Sequence, residues 1–118
     1  MADDTALFRN MLKDYLEILG YTVTPVVDGK KAFEEWKKNP TKYAFILTDN
    51  DMPEMTGCEL VVALRTNGCT IPIVMASLST AMAIQVLLST GKLNGFIAKG
   101  TGLSTTTLQA LLKKVLGS

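Results

Sequence analysis

One run of residues carries the strongest chemical signal in this chain: Asp49-Asn50-Asp51-Met52-Pro53-Glu54-Met55-Thr56-Gly57. The apolar run Tyr43-Ala44-Phe45-Ile46-Leu47-Thr48 precedes it and reads as a buried strand. A helix-like segment, Cys58 to Arg65, follows. A carboxylate, Asp49, therefore sits where a buried strand meets a loop. In an open α/β sheet, ligands bind at the carboxyl ends of the strands. Asp49 is thus placed for chemistry with a ligand, a metal ion or a phosphoryl group. Three more polar points fall at element ends: Asp3-Asp4 before the first helical pattern, Ser77, and Lys99. In a parallel sheet, strand ends of one sense share an edge, so these groups should converge with Asp49. Clustered carboxylates without a counter-charge raise each other's pKa, and a divalent cation relieves that repulsion. Oxygen ligands without His or Cys suit Mg²⁺, bound through one or two carboxylates plus phosphate oxygens. A lysine and a hydroxyl nearby would stabilise phosphoryl oxygens.

The elements that must position these groups follow from patterning. Leu7, Met11, Leu12, Tyr15, Leu16 and Leu19 recur at spacings of three and four, which predicts a helix from Ala6 to Leu19. An acid or Thr5 suits its N-cap, and Gly20 its C′ position. Tyr21-Thr22-Val23-Thr24-Pro25-Val26 alternates and is β-branched, which predicts a strand, with Pro25 near an edge or end. Asp28-Gly29 is a turn, and Lys30 to Lys38 a short helix with Ala32, Phe33 and Trp36 inward. Asn39-Pro40 breaks it. After the acidic loop, a helix is expected at about 57–66, a buried strand from Ile71 to Ala76 and a helix from Thr80 to Leu88. A short strand at 95–98 and a last helix from Thr105 to Leu116, capped by Ser104, complete the pattern. Strands alternating with helices argue for a parallel sheet covered on both faces. Only Met1-Ala2 precede Asp3, so no full strand feeds the first helix.

Bulk properties narrow the field. At 118 residues this is the size of a single domain, 1–118. A net charge of +1 gives no reason to expect nucleic acid or an anionic membrane as a direct partner. No apolar run approaches the roughly 20 residues that span a bilayer, and the acidic amino end predicts no signal peptide. Cys58 and Cys69 lie in no metal-ligand spacing, so free thiols and a cytoplasmic setting are expected. There is no histidine. That excludes a Ser/His/Asp triad, a His-ligated metal and a phosphohistidine within this sequence. A phosphoryl group handled here must come from another molecule or domain.

Taken in order, these residues resemble the receiver domain of two-component response regulators over nearly the whole chain. That family has an acidic pair after its first strand and Asp-x-x-Met-Pro-x-Met-x-Gly after its third. A Thr or Ser ends its fourth strand and a Lys its fifth. Asp3-Asp4, Asp49 to Gly57, Ser77 and Lys99 supply these, and Gly20-Tyr21-x-Val23 and Asp28-Gly29 also match. The resemblance implies an α/β fold, a doubly wound, flavodoxin-like parallel sheet of strand order 2-1-3-4-5, here with its first strand truncated or missing. It implies that Asp49 accepts a phosphoryl group from a phosphohistidine on a histidine kinase or histidine phosphotransfer domain. Asp4 and Asp49 would hold Mg²⁺ through side chains, Asp51 through its backbone carbonyl and Asp3 through water. Ser77 would bond a phosphoryl oxygen, and Lys99 would pair with Asp49 or the phosphoryl group. Phe96, three residues before Lys99, would be the switch aromatic. The last strands and helices would form the face read by an output domain or target protein, and the first helix would help dock the donor. The domain would promote its own phosphorylation without being a turnover enzyme on small substrates. The opening Ala-Asp-Asp-Thr-x-x-Phe-Arg-Asn is similar to receivers attached to chemotaxis-type hybrid histidine kinases.

Several positions depart from that pattern. The family's central first strand is cut to two residues, which would leave its neighbours with unpaired backbone groups. Gly100 replaces the usual Pro after the lysine, Leu78 stands where a small residue is usual, and Thr56 replaces a common Asp. Leu78 is expected to narrow access to Asp49 and slow small donors, and Thr56 to be without consequence. Two other functions compete. A pseudo-receiver would keep the fold and act by protein contact alone. A haloacid dehalogenase-type phosphohydrolase would use Asp49-x-Asp51, although Pro53 falls where its motif needs Thr or Val. No Gly-x-Gly-x-x-Gly follows a strand, which disfavours a dinucleotide site.

Overall fold

The computed structural model describes residues 1–78, 81–100 and 103–117. Helix α1 (Ala6–Ile18) places Leu12 and Leu16 one turn apart, and both are buried. It ends where Gly20 takes a φ of 98°, in the left-handed region that glycine enters without a Cβ penalty. Helix α2 (Gly29–Lys38) starts at Asp28, whose carboxylate accepts from the Lys31 amide at 2.8 Å. Strand β1 (Ile46–Thr48) leads to the acidic loop and helix α3 (Gly57–Thr66). Strand β2 (Ile73–Ser77), helix α4 (Met82–Ser89), strand β3 (Gly95–Ala98) and helix α5 (Thr105–Leu116) follow. Thr80, the expected start of the fourth helix, lies outside the described residues. Helix α5 begins at Ser104 with a capping box shared with Thr107.

The sheet is parallel, ordered β1-β2-β3, with Ile46 opposite Ile73 and Val74 opposite Gly95. Side chains alternate across it. Ile73 and Met75 face a core of Ala32, Trp36, Leu60, Leu64 and Ile84 from α2, α3 and α4. Val74 and Ala76 face Leu12, Leu16, Leu108 and Leu112 from α1 and α5. Helices thus cover both faces, as expected of a doubly wound α/β fold. Burying each such leucine contributes roughly 1.5–3 kcal/mol. At the amino ends of β2 and β3, Arg65 joins three elements. Its guanidinium donates to the carbonyls of Cys69 (2.9 Å), Ile71 (2.8 Å) and Lys92 (3.0 Å), and to the Asn94 side chain (2.9 Å).

Two expected strands are corrected. Tyr21–Val26 forms no regular strand and pairs only at Val26, while the expected strand at 43–48 shrinks to β1. The cause lies between them. Ala2 bridges both Val26 and Thr48 in parallel, so Met1–Asp3 occupies the central position expected for the first strand. The Ala2 amide donates to Leu47 (2.9 Å), the Asp49 amide to Ala2 (2.8 Å), and the Val26 amide to Met1 (2.8 Å). The ladder through Met1–Asp3 pairs only Val26 and Thr48. Among the described residues, no backbone bond engages Thr22, Val23, Ala44 or Phe45. A groove of about 240 Å³ runs there, lined by Leu16, Tyr21, Val23, Phe45 and Leu47 among others. Sheet pairing needs a partner as well as propensity.

Candidate functional site

The carboxyl ends of the central segment, β1, β2 and β3 deliver the polar groups. Asp3 leaves the central segment fully buried. Its Oδ1 accepts from the Thr5 amide at 3.0 Å, and Arg9 donates to its carbonyl at 2.9 Å. Asp49 leaves β1, and its Oδ1 accepts from the Asn50 amide at 2.7 Å. Lys99 follows β3, with its amide bonded to the Ser77 carbonyl at 3.0 Å. The lysine ammonium lies 2.6 Å from Asp3 Oδ2 and 3.2 Å from Asp49 Oδ2, with its side chain 2% exposed. Burial pushes the Asp3 carboxyl above its ordinary pKa, while bonds from Lys99 and the Thr5 amide pull it down. One cation is thus shared between two buried acids.

The acidic loop is held by its own backbone. Asn50 accepts through its carbonyl from the Gly57 amide (2.9 Å) and through its side chain from the Cys58 amide (3.0 Å). Gly57 is required there, because a Cβ at this position would collide with the Asp49 carbonyl, Asn50 Cα and Met75 Cε. Thr56 is not idle. It caps α3 in a reciprocal capping box with Glu59. Gly100 is more than a replacement for Pro, since its φ of 112° is closed to proline.

Carboxylate oxygens of Asp3, Asp4 and Asp49 lie within 4.8 Å of one another. Asp4 and Asp51 are exposed and line a pocket of about 160 Å³ with Thr5, Phe8, Asp49, Leu78 and Lys99. This donor set of clustered carboxylate oxygens fits a hard divalent cation. Ser77 ends β2 buried, and Phe96 in β3 is half-buried against the core around Ile73 and Met75. Neither lines the pocket. Phe8, Asn50 and Arg65 escaped the sequence reading. Phe8 alone had a signal, its place in the first turn of α1, directly after the acidic pair.

A doubly wound parallel α/β fold thus carries an acid cluster and a buried lysine at its carboxyl edge. A family profile described as the response regulator receiver domain matches residues 1–113. The chain belongs to that family, the receiver domains of two-component signalling. It is 38% identical over 73 residues to the Escherichia coli sensor protein EvgS, covering 62% of this chain and 6% of that protein. It is 33% identical over 97 residues to the Dictyostelium discoideum 3',5'-cyclic-nucleotide phosphodiesterase regA, covering 80% of this chain and 12% of that protein. The chain therefore spans only a small part of these relatives. Against the Helicobacter pylori chemotaxis protein CheY1, identity is 29% over 122 residues, covering 100% of this chain and 95% of that protein. The Vibrio cholerae CheY4 structure superposes with a TM-score of 0.84 at 29% identity, covering 98% of this chain and 94% of that one. No described helix is long and apolar enough to cross a membrane.

Proposed function

We propose that Asp49 is the phosphoryl acceptor of a working receiver, fed by a phosphohistidine on a histidine kinase or histidine phosphotransfer domain. The observation that carries this is the ammonium of Lys99, buried between Asp3 and Asp49 at the edge of an open pocket. An Asp49 carboxylate oxygen attacks phosphorus. A P–O bond forms as the P–N bond breaks, and the electron pair stays on the donor's imidazole nitrogen, which takes a proton from solvent. Asp3, Asp4 and Asp49, with the Asp51 carbonyl, would hold Mg²⁺, which when bound supplies positive charge beside the phosphoryl oxygens. Lys99 pairs with a phosphoryl oxygen, which costs little reorganisation because it is already positioned. Ser77, one strand over, bonds another such oxygen, and Phe96 turns further inward as Ser77 moves. The phosphoryl group binds one conformer better and biases β3, α4 and α5 toward an output domain or target protein, in a cytoplasmic setting.

The test is intact mass after incubation with Mg²⁺ and acetyl phosphate, then with a phosphohistidine donor. One phosphoryl adduct is expected on the wild type and none on Asp49→Asn, with circular dichroism unchanged. Absence of the adduct from both donors would sink the acceptor role. One observation favours a pseudo-receiver, namely Leu78, 68% exposed on the pocket lining. In that reading the fold acts by contact alone, and Mg²⁺ would not bind.

A further inference from the structure

We propose that Phe8 is a positioning residue for Lys99, holding the ammonium at the pocket wall by a cation–π contact. The role rests on the acceptor reading of Asp49. Two carboxylates compete for the ammonium, at 2.6 and 3.2 Å. The third contact is the Phe8 ring, whose centroid lies 4.2 Å from Nζ. That is well within the roughly 6 Å over which an aromatic face attracts a cation, and the attraction grows when the cation is desolvated. The side chain of Lys99 is 2% exposed, so little water competes.

The ring also fixes where the charge can go. Phe8 and Lys99 line the same 160 Å³ pocket as Asp49, so the ring borders the space an incoming phosphoryl group must fill. An alkyl side chain at position 8 would cover the ammonium as well but would not compensate its lost hydration. The negative face of the ring does. Free of the ring, the ammonium is left to the closer carboxylate, Asp3, and away from the phosphoryl oxygens. Phe8 thus keeps Lys99 shared between its partners and ready to transfer its contact.

The experiment replaces Phe8 in the full chain by a series of ring-fluorinated phenylalanines, which weaken the ring's negative face with little change of shape. Lys99 ε-methylene shifts are read by NMR without any phosphoryl donor. They should lie upfield from ring current in the wild type and return toward ordinary lysine values in Phe8→Leu. With acetyl phosphate and Mg²⁺, the phosphorylation rate should fall stepwise along the series. The total loss should be about tenfold, the scale of one such contact. Phe8→Trp should retain the rate, and melting temperatures should hold across the series. Rates indifferent to fluorination, or Lys99 shifts unmoved in Phe8→Leu, overturn the inference. No transfer to the wild-type chain overturns the acceptor reading instead.

Discussion

At the residue scale, the buried triad of Asp3, Lys99 and Asp49 dominates. Removing one member of a buried, bonded charge pair typically costs 3–5 kcal/mol, because the remaining charge has no partner. Lys99→Met should therefore lower unfolding free energy by about 3 kcal/mol at pH 7 without added metal. The loss should shrink as the pH falls, because burial raises the Asp3 carboxyl and its protonation removes the unpaired charge. Added Mg²⁺ should restore more stability to the variant than to the wild type, as read by thermal melts. An equal Mg²⁺ response in both would show that the cation does not use these acids. Leu78 makes a different prediction. It is exposed beside Asp49, so Leu78→Ala should speed phosphorylation by acetyl phosphate several-fold and leave transfer from a protein donor nearly unchanged. Equal acceleration of both would mean that Leu78 does not select among donors.

At the element scale, the centre of the sheet is decisive. Met1–Asp3 supplies only the carboxyl end of the central strand, and the Met1 amine donates to the Thr24 carbonyl at 3.0 Å. Burial depresses that amine from 8.0 to about 6, against a smaller opposing pull from Glu35. The unfolded state then binds more protons between pH 6 and 8, so stability rises with pH across that window. Above 8 the amine is neutral in both states, and below 6 the folded state carries the full cost of a buried charge. In a chain with a free amine at Met1, this contributes about 2–3 kcal/mol. Adding four alternating β-branched residues ahead of Met1 should pair the backbone of 22–23 and 44–45 and line the groove. The melting temperature should rise, and the pH 6–8 slope should vanish. An extension that leaves both unchanged would show that the groove does not accept a strand.

At the scale of the molecule, the two helical layers meet on β2, whose residues 73–77 are all buried. Opening them requires both cores to come apart. The segment 21–25 lies beside the groove, with its backbone largely unpaired. Native-state hydrogen exchange should therefore be slowest at β2, at the global unfolding free energy, and fastest at Thr22 and Val23. Similar protection in the two segments would contradict this division. The acidic pocket draws on both regions, through Asp3 on one side and Lys99 on the other. Metal or phosphoryl binding should accordingly raise protection at Ala2 and Asp3 as well as near β3.

The acidic loop, β3 and α5 were legible in the sequence to within a residue or so. Their signals are local: Gly57 beside the Asp49 backbone, Ser104 as a cap, and apolar runs ended by polar residues. The convergence of Asp3-Asp4, Asp49 and Lys99 was legible too, because parallel strands must end on one edge. Three things depended on partners distant in sequence and so only the tertiary structure decided them. Tyr21–Val26 has strand propensity, but pairing reaches only Val26, where Ala2 meets it. Arg65 is marked in the sequence only as the end of a helical segment, yet its donors join the starts of two strands. Phe8 is not among the periodic apolar positions of the first helix, and only packing sets its ring against Lys99. Periodicity and caps act through neighbours along the chain, whereas pairing, bridging and shielding require groups that only folding brings within a few ångströms.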